Sequence, residues 1–130
     1  MKKKIQRVYV IGPLTPKNYH SSHPAIDYLA NIAVYTKSCI ALLLAGFDPF
    51  NASSDLLMFL LLDIQGGERI TEPMIKRYSK SWMAVSDALL LTPGWKRSVG
   101  CQAEVKRAKE LGIPIFDSIQ AIVNHNLDIA

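Results

Sequence analysis

The residues best placed to do chemistry lie in the last third of the chain. Cys101, Val105, Ala108 and Leu111 recur at three- and four-residue spacing and define the core-facing stripe of a helix, with Gln102, Lys106 and Glu110 turned to water. Glu104 falls inside that stripe, three residues after Cys101 and four before Ala108. A carboxylate directed at a core must be paired, protonated or put to use. It is either bonded to backbone amides or a nearby lysine, or it serves as a nucleophile or acid/base group. Immediately before it runs Pro93-Gly94-Trp95-Lys96-Arg97-Ser98-Val99-Gly100. Two glycines and a serine at a helix start bring free N–H groups and the positive end of the helix dipole together, which suits a small anion. The same serine would equally serve as a plain cap. Trp95 can stack on a planar ligand or pack on its own scaffold.

The elements that must hold these groups follow from hydrophobic patterning. Ile5 to Ile11 is a β-branched and aromatic run stopped by Gly12-Pro13, a buried first strand. From Ala25 to Ala45 the residues Ile26, Leu29, Ala30, Ala33, Val34, Ile40, Ala41 and Leu44 recur at helical spacing, and Gly46 supplies the stop. Phe47 to Phe50 reads as a second strand ending in Asn51. Leu56 to Leu62 reads as a helix apolar on more than one face, which predicts a second subunit or a lid against it. Ile70 to Val85 is a helix with Pro73 in its first turn, and Ala88 to Leu91 a strand of the continuous apolar type. Ser98 caps a helix to Leu111 closed by Gly112, Ile113 to Phe116 is a last strand, and Ser118 to Asn126 a terminal helix. Short apolar strands alternating with helices specify an α/β fold with a parallel sheet of four to five strands covered on both faces. Ligands of such sheets sit outside the carboxyl ends of the strands, here Gly12 to Thr15, Asn51 to Ser54 and Thr92 to Gly100.

Composition narrows the function classes. The 130 residues are 49% hydrophobic and 20% charged, which is a folded chain with one core and one domain spanning residues 1–130. The formal charge of +4 owes most to Lys2, Lys3 and Lys4. The remainder stands near neutrality, against a nucleic-acid polymer as partner and open to a small anionic ligand. Cys39 and Cys101 are far apart without flanking histidines, so neither a disulfide framework nor a metal site is expected, and the compartment reads as cytoplasmic. No apolar run reaches membrane-spanning length, so no membrane association is expected.

One ordered set of motifs carries a family likeness. Val8-Tyr9-Val10-Ile11-Gly12-Pro13-Leu14-Thr15, Asn18 and Pro24, Gly46-Phe47-Asp48-Pro49-Phe50-Asn51, Ser86-Asp87-Ala88, and Pro93-Gly94-Trp95 leading through Ser98 and Gly100 to Glu104, Ala108, Gly112 and Pro114 span nearly the whole chain. Together they resemble the nucleoside 2-deoxyribosyltransferase superfamily, nearest its small branch with a Pro-Gly-Trp loop and similar in outline to the deoxynucleoside 5'-monophosphate N-hydrolases. The resemblance implies a three-layer flavodoxin-like, Rossmann-like fold and cleavage or exchange of an N-glycosidic bond, without cofactor. It implies that Glu104 attacks C1' of the sugar, that Tyr9 lines the site, and that Gly12, Pro13 and Thr15 form the loop nearest the ligand. Ser98 and Gly100 would hold a 5'-phosphate. Asn51 and Asp87 belong to the motifs and are candidate substrate contacts, although Asn51 also suits a turn and Asp87 a strand start. The family acid that serves the leaving base has no counterpart in Tyr78-Ser79-Lys80-Ser81. His20 and His23 on the first loop could donate protons near a base. The expectation is a homo-oligomeric nucleoside or nucleotide N-glycosidase or deoxyribosyltransferase; the alternative is a non-catalytic nucleotide-binding or sequestering protein.

Overall fold

The computed structural model describes residues 3–14, 24–53 and 71–129. Among these, four strands form one parallel sheet: β1 (Arg7–Ile11), β2 (Asp48–Asn51), β3 (Ala88–Leu91) and β4 (Ile115–Phe116), in the order β2-β1-β3-β4. The helices are α1 (Pro24–Leu44), α2 (Glu72–Ala84), α3 (Val99–Leu111) and α4 (Ile119–Leu127), with a single 3-10 turn at Trp95–Arg97 before α3. The fold is α/β, three-layered and flavodoxin-like, as the alternation of elements predicts. β1 and β3 are the two inner strands, and Val8 through Ile11 have no exposure at all. Tyr9 sits in register with Phe50 on one side and Leu89 on the other. The chain leaves β1 towards β2 and leaves β3 towards β4, so the connections diverge between β1 and β3. Right-handed crossovers running in opposite directions put α1 on one face of the sheet and α2 and α3 on the other.

Three strands begin later than the apolar runs suggest, each because its leading residue is spent on another bond. Ile5 is buried, but its N–H and C=O bond the side chain of Asn126 in the last helix rather than a strand. Phe47 donates its N–H to Leu42 across Gly46, and Ile113 donates to Ala108 across Gly112. Both glycines adopt left-handed φ, so each apolar residue closes the preceding helix before its strand starts. α2 starts at Glu72 instead of Ile70, because the Thr71 hydroxyl caps it by accepting from the Met74 amide. Ser98 and Ser118 cap α3 and α4 in the same manner.

The largest departure is the rotation of α1. The stripe that spacing picks out, Ile26, Leu29, Ala30, Ala33, Val34, Ile40, Ala41 and Leu44, is exposed throughout. The buried face carries Asp27, Tyr35, Cys39 and Leu42. This helix is also, by length and composition alone, apolar enough to cross a membrane from Ala25 to Leu44, contrary to the expectation from uninterrupted runs. Asp27, Asn31 and Lys37 interrupt the run without lowering its average much, and the helix packs on the sheet through Tyr35, Cys39 and Leu42. The Leu56 to Leu62 segment lies outside the described residues.

Candidate functional site

The divergence between β1 and β3 opens a crevice at the carboxyl edge of the sheet, where open α/β folds take their ligands. Its floor is the meeting of two strand ends. A Cβ on Gly12 would fall 2.0 Å from Thr92 Oγ1 and 3.3 Å from Thr92 Cβ, so only glycine lets these two chains touch. The neighbouring turns also meet, with Pro13 Cγ 3.4 Å from where a Cβ on Gly94 would stand. Thr92 is buried, and its hydroxyl has no hydrogen-bond partner among the described residues.

Tyr35 reaches from α1 into the same place. Its phenolic oxygen accepts the Gly12 N–H at 2.7 Å and its O–H donates to the Gly12 carbonyl, which satisfies both backbone groups where β1 has run out of strand partners. Burial pushes the Tyr35 phenol far above its ordinary range, and the negative charge of Glu104 pushes it further, with smaller contributions from Cys101 and Tyr9. The Glu104 carboxylate is therefore within electrostatic reach of both Tyr35 and Cys101. Glu104 is half-buried, flanked on α3 by the buried Cys101, Val105 and Ala108. Leu111, expected in that stripe, is 49% exposed because the helix ends there and its last turn passes the edge of the sheet.

The first turn of α3 stands next to the carboxylate. Ser98 Oγ accepts the Cys101 N–H at 3.2 Å, the capping role its position predicts. Burial raises the Cys101 thiol to about 11, against a lowering hydrogen bond with Ser98, and Glu104 adds to the rise. Gly100 is exposed, and among the described residues a Cβ there would come no closer to another residue than 3.8 Å, from Ser98 Oγ.

A cleft of about 390 Å³ opens beside this edge, lined by Leu91 to Arg97 and by Asp117 after β4. Trp95 is half-buried and packs against the core while forming part of that lining. Lys96 Nζ lies 5.9 Å from its ring centre, within cation–π range.

Not every residue singled out in the sequence joins the crevice. Gly12 and Pro13 stand at the end of β1, and Ser98, Gly100 and Glu104 on the first turns of α3, both at the carboxyl side of the sheet. Tyr9 is fully buried, its ring stacked on Phe50 at 5.0 Å, and Phe50 stacks in turn on Trp82 at 5.5 Å. Tyr9 is thus a core aromatic whose phenol is felt by Tyr35. Asn51 takes the turn role: its Oδ1 accepts the Ser53 N–H at 3.0 Å and the Ser53 hydroxyl at 2.6 Å. Asp87 is a correction. It lies at the opposite, amino edge of the sheet, where Oδ2 accepts the N–H groups of Gln6 and Arg7 at 2.9 Å and Oδ1 pairs with Lys3 at 2.9 Å. It therefore ties the start of β1 to the start of β3 and cannot reach a ligand at the carboxyl edge. Thr15, His20 and His23 lie outside the described residues. Tyr35 is the residue that sequence reasoning missed, while Thr92 opens the strand-end range Thr92 to Gly100 that it named. Tyr35 was detectable as the polar-tipped member of the Tyr28, Asn31, Tyr35, Cys39, Leu42 spacing, the less apolar face of its helix.

No family model, no curated protein and no solved structure matches the chain.

Proposed function

We propose that this protein cleaves the bond between base and sugar in a nucleoside or (deoxy)nucleoside 5'-monophosphate, with Glu104 as the nucleophile. The observation that carries this reading is a half-buried carboxylate on α3 within electrostatic reach of Tyr35, whose hydroxyl holds the end of β1 where the connections diverge. In the reaction, a carboxylate oxygen of Glu104 bonds to C1' as the base departs with the electrons of the glycosidic bond. Positive charge developing on the sugar is stabilised by the fixed anion. Water then attacks C1' and releases Glu104, or a second base does so and completes a transfer. The open backbone at Gly100 and the capped start of α3 suit an anionic group such as a 5'-phosphate.

A second reading has its own observation. α2 carries Tyr78-Ser79-Lys80-Ser81 where a group serving the leaving base is expected, and none of the four is an acid. A nucleotide-binding protein without turnover fits that absence. The test is chromatographic detection of free base after incubating wild type and Glu104→Gln with ribo- and deoxyribonucleosides and their 5'-monophosphates. Base released by wild type alone is expected. Ligand binding without release by either protein would move the assignment to the sequestering reading.

A further inference from the structure

Among the described residues, α1 turns an apolar face away from the core. On α1, Ile26, Leu29, Ile40, Leu43 and Leu44 are 51 to 86% exposed, and Ala30, Ala33 and Ala41 lie among them. These five large side chains leave a patch of roughly 500 Å² in water, near the upper end of what a monomer shows without a partner. Its spacing is regular: Ile26, Ala30, Ala33, Lys37, Ile40 and Leu44 follow one another by four, three, four, three and four residues. That alternation is the seam of a helix pair, with Leu29, Val34, Ala41 and Leu43 exposed along its flanks.

We infer that α1 is a self-association surface and that its occupant is α1 of a second copy of this chain, packed antiparallel about a two-fold axis near residue 35. In that register Ile26 meets Leu44 of the other copy, Ala30 meets Ile40, and Ala33 meets Lys37. Each bulky or long side chain in the middle of the seam faces an alanine, so the surface is complementary to itself, as an isologous interface requires. The stem of Lys37 lies over the alanine and its ammonium reaches the rim. Lys37 is the only charged residue on the exposed face of α1, since Asp27 is buried on the other side. A lipid surface is the poorer occupant, because helices that lie in a membrane interface carry rows of cations and α1 carries Lys37 alone. Two copies would bury about 1,000 Å² along the seam, the lower limit for a biological interface, so a reversible, concentration-dependent dimer follows.

Sedimentation velocity of the full chain over a wide concentration range tests this. The expected result is a monomer–dimer equilibrium that Ile40→Glu shifts to monomer, weakening association by at least about tenfold. Residue 40 is exposed, so its circular dichroism and Tm at low concentration stay unchanged. A second measurement fixes the register: Ala33→Cys mixed with Lys37→Cys forms an intermolecular disulfide faster than either variant alone, the native cysteines being buried. A monomer at every concentration overturns the proposal. So does fastest cross-linking of Ala33→Cys to itself, or binding of the wild type to phosphatidylcholine–phosphatidylserine vesicles without self-association in their absence.

Discussion

Gly12 and Thr92 touch so closely that the crevice depends on the absence of one carbon atom. A Cβ at position 12 would lie 2.0 Å from the Thr92 hydroxyl oxygen and 3.3 Å from its Cβ. Gly12→Ala must push β1 and β3 apart at their carboxyl ends or force Thr92 off its rotamer, at a cost of about 1–3 kcal/mol. Thr92→Ala removes the nearer atom. The double variant is expected to recover most of that loss, a coupling that urea denaturation of the four proteins will read. Thr92→Val alone should be neutral or stabilising, because the buried hydroxyl has no partner among the described residues.

Tyr35 sets the shape of the same turn. Its hydroxyl satisfies both the N–H and the C=O of Gly12, and no other partner in the sheet reaches those two groups. Tyr35→Phe leaves them buried and unmatched, each costing about 1–3 kcal/mol. The expected outcome is a marked fall in Tm. If the glycosidase reading holds, kcat should drop more than substrate affinity, because the turn beside Glu104 loses its anchor. Thermal melts and steady-state kinetics separate the two effects.

Asp87 makes the fold sensitive to acid. Its partial burial favours the neutral acid, but the Arg7 amide, Lys3 and the Gln6 amide outweigh that and hold the carboxyl below its ordinary value. A group with a lowered folded-state pKa contributes stability above its unfolded value, near 3.9, and that contribution fades as pH falls through the folded value. Asp87→Ala should therefore destabilise by about 1–3 kcal/mol at neutral pH, from two unmatched backbone donors. The gap to wild type should narrow below pH 4. Denaturation at pH 7 and under acid conditions checks both the size and the sign.

The sequence makes some of this plain and hides the rest for physical reasons. Ala88–Leu91 matched its predicted limits, because a strand buried on both faces reads as an uninterrupted apolar run. The caps at Ser98 and Ser118 were legible because capping is a local event of three residues. Ile113 was misread as strand because hydrophobicity does not say whether a backbone N–H goes back to a helix or across to a sheet. The orientation of α1 is hidden for a deeper reason: patterning finds the most apolar face, and in this helix that face is not the one on the sheet. For the site, the line Gly12, Ser98, Glu104 was visible as types at strand ends. The contacts that assemble it, Tyr35 on Gly12 and Gly12 on Thr92, join residues 23 and 80 positions apart and leave no periodic trace.

Cys101 offers a last check on the environment of Glu104. As the third residue of α3 it lies where the helix dipole ordinarily favours a thiolate. Burial wins instead and, with the nearby carboxylate, holds the thiol near 11, the Ser98 hydrogen bond notwithstanding. At pH 8 roughly a thousandth of it is ionised, so a thiol reagent should modify neither Cys101 nor the buried Cys39 until the protein is unfolded. The sign of the accompanying pH effect is fixed. A thiol raised in the folded state contributes stability below its unfolded value near 9, and that contribution is lost as pH climbs towards 11. Glu104→Gln removes one of the raising charges, so its Cys101 should titrate lower than in wild type. Thiolate absorbance of a Cys39→Ala background across pH 8 to 12 reads that difference directly, and equal titration in both proteins would place the carboxylate away from Cys101 and out of the crevice.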